Sequence, residues 1–262
     1  IKTLKFIKDQ WDWMGIMIEK HSNNDSFWFS QLQTRRQLSG MLKGYNDGCL
    51  NKKTTTTLHN DNEAIRSNKY WNTFDTPSLE HLLLINAWGD LYQITVKMKE
   101  PGRFSRYHGV KKDQLVERCS AFVRLLPDNS DIYFGHNTWD SFESLGPRVF
   151  KKYNFPLFSE TETSTTEKGI GSNNELTQYS TLFSSSPALI SSIDDFFVVK
   201  GRGHLGVQET TNSLYNIQVL NTITPLSILS WQRSTSANQL ASNGKEWTNF
   251  FATNSSGTYT NQ

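Results

Sequence analysis

Cysteine is scarce in this 262-residue chain, which carries only Cys49 and Cys119. Two residues exclude a disulfide framework, and their placement shows no metal-ligand spacing; one bridge or two unbridged thiols remain as alternatives. An excess of one charge is also missing. Lys and Arg total 27 against 25 Asp and Glu, a formal net charge of +2, and the densest basic groups are the pairs Arg35-Arg36, Lys111-Lys112 and Lys151-Lys152. Neutralising phosphates needs a clustered basic excess, so no nucleic-acid partner is expected. No apolar run approaches the ~20 residues of a membrane-crossing helix, so no transmembrane segment is expected either. No cofactor and no metal are expected, and internal repeats are absent. Lys2 to Lys8 is followed by no long apolar core and does not read as a signal peptide. With Ile1 in place of Met and Gln262 falling inside an ordered motif, the expectation is an incomplete sequence.

What is present is enough apolar material for one large domain or two small ones: 36% hydrophobic and 13% aromatic residues, with eight Trp. Leu4, Ile7, Trp11, Met14 and Ile18 recur at helical steps. A second periodic stretch runs from Phe27 to Leu42 and is expected to stop at Gly44. A third opens at Pro77-Ser78, carries Leu79, Leu82, Leu83 and Trp88, and passes into a β-like run from Leu91 to Val96. Lys97 to Glu117 is polar, has no period, and reads as a linker.

After the linker the pattern turns to strands. Cys119 to Leu126 and Ile132 to His136 flank a Pro127-Asp128-Asn129-Ser130-Asp131 turn and predict a hairpin. Ser159 to Asn174 reads as an exposed loop. Strand signals return at Phe196–Val199 and from His204 to Thr211, joined through Gly201 and Gly203. A helix is then expected with Thr224 as cap and Pro225 in its first turn. Helices, then strands, then helices indicate an α+β domain.

The chemistry concentrates in Cys119 to Asp140. Antiparallel pairing puts the start of the first strand beside the end of the second, so Cys119 is expected near His136, Trp139 and Asp140. A thiol beside an imidazole and a carboxylate can be a nucleophilic site. The residues alone favour the plainer alternative, a small buried hydrophobe and a structural histidine, because a free cysteine is usually packing.

This stretch resembles the phospholipase B-like family, of the lamina-ancestor type. Its Cys119-Ser120-Ala121 start, Pro127 turn and His136-Asn137-Thr138-Trp139 segment match that family's cleavage-site block. Two further blocks follow in the family's order. One is Ser191 to Val198 leading to Gln208-Glu209-Thr210-Thr211-Asn212-Ser213; the other is Pro225 to Arg233 with Ala237 to Ala241 and Ser256 to Gln262. The departures are Thr260, where the family usually has Asn, and Ser186-Pro187-Ala188 in place of Tyr-Pro-Gly. Family members also continue past the last block.

The resemblance implies an N-terminal-nucleophile hydrolase, an αββα sandwich here incomplete at its C-terminus. Residues 1–118 would be a helical portion and linker, and 119–262 a partial hydrolase core. Cys119 would attack the Arg118 carbonyl and cut the chain there, so that the cleaved N-terminal fragment remains as a partner. The new α-amine, with a pKa near ~7.7–8.0, would then serve as base. By the same resemblance Asp140 would hold that amine and Asn212 and Asn261 would form the oxyanion hole, while His136, Trp139 and Thr211 would line the pocket. The implied substrates are acyl lipids or N-acyl small molecules, and the implied setting is lysosomal or secreted. The sequons at Asn24 and Asn254 are compatible with glycosylation there. The alternative is a self-processed lipid-binding glycoprotein with little or no turnover.

Overall fold

Helix α1, Lys2–His21, buries Ile7, Trp11, Met14 and Ile18 of the expected stripe, with Phe6 added and Leu4 half-buried. The computed structural model describes residues 2–56, 77–99, 119–140, 146–156, 178–211 and 216–259. Helix α2, Ser26–Thr56, starts where the Asp25 carboxylate accepts from the backbone N–H of Phe27 at 2.8 Å. It runs through Gly44 instead of ending there. A Cβ at Gly40, Gly44 or Gly48 would meet nothing within 4 Å. One glycine costs a helix only about 1 kcal/mol, which continuing it can absorb.

Helix α3, Leu79–Asn86, is capped by Ser78, whose N–H donates to His81 Nδ1 at 3.1 Å. Helix α4, Trp88–Lys97, corrects the strand expected at Leu91 to Val96. Ala87, at its start, and its Leu91 and Ile94 recur at helical spacing and are buried in one core with Phe6, Ile7 and Trp11 of α1 and Leu38 of α2. Packing here overrides the β preference of Ile, Thr and Val.

The strand half has two antiparallel pieces. Strands β1, Ser120–Leu125, and β2, Ile132–Asn137, form the expected hairpin, with Ala121 opposite His136 and Val123 opposite Phe134. Strands β3, Val149–Pro156, β4, Gln178–Ser185, β5, Phe196–Lys200, and β6, His204–Gln208, form a four-stranded sheet in chain order. Sequence reading missed β3 and β4. The expected loop at Ser159 to Asn174 lies outside the described residues. One sheet face buries Tyr179, Phe183, Phe197 and Val199. Against the other face the hairpin seats Phe134, stacked on Phe196 at 5.0 Å.

A 3-10 turn, Ile217–Thr222, leads to helices α5, Ser230–Leu240, and α6, Gly244–Ala252. The helix expected at Pro225 therefore begins five residues later. Thr224 instead accepts from the Leu226 N–H within a turn, and the N-terminus of α5 is capped from afar. Asp90 of α4 accepts from both the Ser230 N–H and the Ser230 hydroxyl, at 3.1 and 2.9 Å. Helix α5 is polar in composition yet every one of its residues is buried. Some of its polar groups are matched by the helices around it: Gln10 donates to Gln232 Oε1 at 2.9 Å, and Gln31 to the Gln232 carbonyl at 3.0 Å, while Gln232 Nε2 and Trp231 Nε1 are buried without a partner. Each such pairing offsets part of the cost of burying an amide. The architecture is α+β, and no described helix is long and apolar enough to cross a membrane.

Candidate active site

Cys119 stands at the entry to β1, one step beyond the Ser120–Asn137 pair. Its φ is +69°, a left-handed conformation that costs a side-chain-bearing residue ~1–2 kcal/mol. The Thr210 hydroxyl donates to its carbonyl at 3.1 Å, and Gln208 Nε2 donates to the Phe122 carbonyl at 3.2 Å. Side chains at the end of β6 thus tie the hairpin to the sheet. A second tie is Asp194, which accepts from Thr138 at 2.8 Å and Ser184 at 2.6 Å and pairs with Arg148 at 3.2 Å.

The expected proximity of Cys119 and His136 is present. The Cys119 Sγ, a His136 ring nitrogen and a Glu209 carboxylate oxygen all lie within 4.8 Å of one another. His136 bonds to the Glu209 backbone, and its Nε2 is buried without a hydrogen-bond partner. Burial lowers the imidazole pKa, against the opposing Glu209 bond and Asp194 charge. The ring is therefore held towards its neutral form, able to accept a proton.

Behind this trio lies a buried acid pair that sequence reading did not single out. Tyr259 donates to Asp195 Oδ2 at 2.6 Å and approaches Glu209 Oε1 at 3.2 Å. Burial first, then the Glu209 charge, pushes the Asp195 carboxyl well above the usual range, and burial raises Glu209 too. The signal was present in the sequence, since Asp195 and Glu209 fall in the two motif pieces at the sheet. Their meeting is a matter of register.

Cys119, Glu209, Asp195 and Tyr259 line one cavity of about 1000 Å³, walled by apolar side chains such as Val123, Phe134, Trp231 and Phe251; His136, expected to line it, is not among its lining residues. Trp139, Asp140 and Thr211 line it as well; Trp139 is 59% exposed, and Asp140 is exposed. Arg118, Asn212 and Asn261 lie outside the described residues, as does the Lys97 to Glu117 linker beyond residue 99. Asn24 and Asn254 are both exposed. The arrangement brings a thiol and two carboxyls to an apolar chamber, with an imidazole held towards its neutral form beside the thiol, groups of the kinds that acyl transfer can use.

Comparison with known proteins bears on this set. The sequence model of one family, described as phospholipase B, matches residues 1–262. The chain is 29% identical over its whole length to phospholipase B-like protein G of Dictyostelium discoideum, covering 39% of that protein. It is 32% identical to phospholipase B-like protein B of the same organism over 92% of the chain and 36% of that protein. It is 28% identical to phospholipase B of Crotalus adamanteus over the full chain, covering 41% of the relative. The chain thus spans about two fifths of the length of these relatives.

Proposed function

The chain belongs to the phospholipase B family, and we propose that it hydrolyses acyl ester or amide bonds of lipids after cutting its own backbone before Cys119. One observation carries this reading: the Cys119 thiol sits within 4.8 Å of both His136 and Glu209, at a chamber of about 1000 Å³ with apolar walls. A chamber of that size and lining accommodates an acyl chain.

In the uncut chain Cys119 has no α-amine to act as base. His136, held towards its neutral form, takes the thiol proton as Sγ attacks the Arg118 carbonyl. The Arg118 carbonyl carbon–nitrogen bond then breaks as His136 passes that proton to the nitrogen, which becomes the free amine of Cys119, and water hydrolyses the Arg118 thioester to a carboxylate and the free thiol. The left-handed φ of Cys119 supports this step, because cleavage releases the strain. Afterwards the new amine accepts the thiol proton during attack on a substrate carbonyl and returns it to the leaving alcohol or amine, and water then hydrolyses the acyl thioester, releasing the acid and the thiol. Asp140 holds that amine, and Asn212 and Asn261 stabilise the oxyanion, worth ~3–4 kcal/mol per well-placed donor. Trp139 and Thr211 bound the substrate, and His136 stands beside the thiol. A hairpin packed on a second antiparallel sheet with helices beyond it supports the N-terminal-nucleophile fold. The exposed sequons at Asn24 and Asn254 support a lysosomal or secreted glycoprotein.

The test is to express the complete reading frame as wild type and as Cys119→Ala. The expected wild-type product is two fragments on denaturing gels, the second beginning at Cys119, with Cys119→Ala uncut. A wild type that stays whole after acid or protease treatment overturns the mechanism. Cut protein that retains phospholipid or N-acyl amide without releasing fatty acid identifies a lipid-binding glycoprotein instead.

A further inference from the structure

Cys119, His136 and Glu209 are the one group of three thiol, imidazole or carboxylate residues among those described whose ligand atoms converge. They come from three places: the entry to β1, the end of β2 and the residue after β6. Spacing along the chain therefore gives no sign of them. Two of the three offer polar atoms with no hydrogen-bond partner. His136 Nε2 and Glu209 Oε2 are each buried and have no hydrogen-bond partner, a costly arrangement for a polar atom. The backbone around them is held in place by the Thr210–Cys119 and Gln208–Phe122 bonds.

We propose that these three side chains form a binding site for zinc, with sulfur, nitrogen and oxygen as ligands and a fourth position open to the cavity. Borderline-soft zinc takes this mixed set, and magnesium or calcium, which need oxygen ligands, do not. Around tetrahedral zinc, with bonds of ~2.0–2.3 Å, neighbouring donors stand roughly 3.3–3.7 Å apart. Closing from 4.8 Å asks for side-chain movement on the order of 1 Å. The thiol proton leaves to solvent as the sulfur–zinc bond forms. The His136 orientation is already set through its bond to the Glu209 backbone, as second contacts set metal-bound histidines generally. Zinc binding itself does not depend on the hydrolase reading. Its consequence does: a zinc-bound sulfur has its attacking electron pair engaged, so the metal is a reversible block on self-cleavage and turnover.

Cobalt(II) titrated into the protein made from its complete reading frame tests the site. One equivalent is expected to produce a thiolate-to-cobalt charge-transfer band with tetrahedral visible absorption, and zinc is expected to displace it. His136→Gln and Glu209→Gln each weaken binding by at least ~10-fold. Cys119→Ser removes the charge-transfer band, and Cys49→Ser leaves it intact. A band absent from the wild type, or lost in Cys49→Ser and kept in Cys119→Ser, overturns the proposal. A readout free of any variant is alkylation of Cys119 by iodoacetamide, followed by peptide mass mapping. Zinc slows it if the site exists, and an unchanged rate overturns the site. A chain that shows the band but never cuts itself leaves the zinc site standing and sinks only the hydrolase mechanism.

Discussion

The Tyr259 hydroxyl donates to Asp195 Oδ2 at 2.6 Å across 64 residues of chain. Its ring reaches that position by crossing Gly89, where an added Cβ would stand 3.0 Å from the ring. The segment after α6 is thereby tied to the start of β5, directly behind the Cys119 site.

Tyr259→Phe keeps the ring and removes the tie. Asp195 is then left buried with one partner fewer, which costs about 1–3 kcal/mol. Urea unfolding should show that loss with an unchanged slope. A variant as stable as the parent would mean that water replaces the phenol at no cost.

Ala188 occupies a left-handed position, φ +68°, in a turn closed by the Leu189 N–H to the Ser186 carbonyl at 3.3 Å. This is the type II pattern, with Pro187 before a residue that should be glycine. Relief of left-handed strain is worth ~1–2 kcal/mol, against added chain entropy and a half-buried methyl. Ala188→Gly is therefore expected to gain up to about 1 kcal/mol, whereas Ala237→Gly in buried helix α5 loses about 1 kcal/mol or more. Matched thermal melts compare the two, and equal losses would refute the strain argument.

Gly206 in β6 lies against Phe134, whose ring would be 2.8 Å from an added Cβ. Gly206→Val should push the hairpin off the sheet, costing ~1–3 kcal/mol. It should also impair self-cleavage, because Cys119 and His136 both ride on the hairpin. Cleavage at the parental rate in a folded variant would show that the hairpin repositions freely.

Asp90 is buried, and burial raises its pKa against the bonds from Thr258 and Ser230 and the nearby Arg233 charge. Arg233 is itself lowered to about 10 by burial. Between the unfolded Asp value near ~3.9 and the raised folded value, the native state binds more protons than the unfolded state. The Asp90 contribution therefore falls as pH rises through that window. Asp90→Asn should flatten the stability profile there, as read by denaturant titrations at stepped pH. Parallel profiles for parent and variant would exclude Asp90 as the source.

The sequence by itself determined what depends on neighbours along the chain. A three-and-four spacing from Leu4 to Ile18 specifies α1, and two short apolar runs around a Pro-Asp-Asn turn specify the β1–β2 hairpin. That hairpin brings Cys119 to His136, since antiparallel pairing follows from the turn. Tertiary structure decided the rest. Leu91 to Val96 is helical because Leu91 and Ile94 are buried against α1 and α2. Helix α5 starts at Ser230 because a carboxylate 140 residues earlier caps it. Glu209 joins Cys119 only because β6 lies beside the hairpin, a contact between residues 90 positions apart. Local propensity differs by tenths of a kcal/mol per residue, too little to decide these choices. Long-range burial and pairing are worth several times more, and no short window of sequence contains both partners.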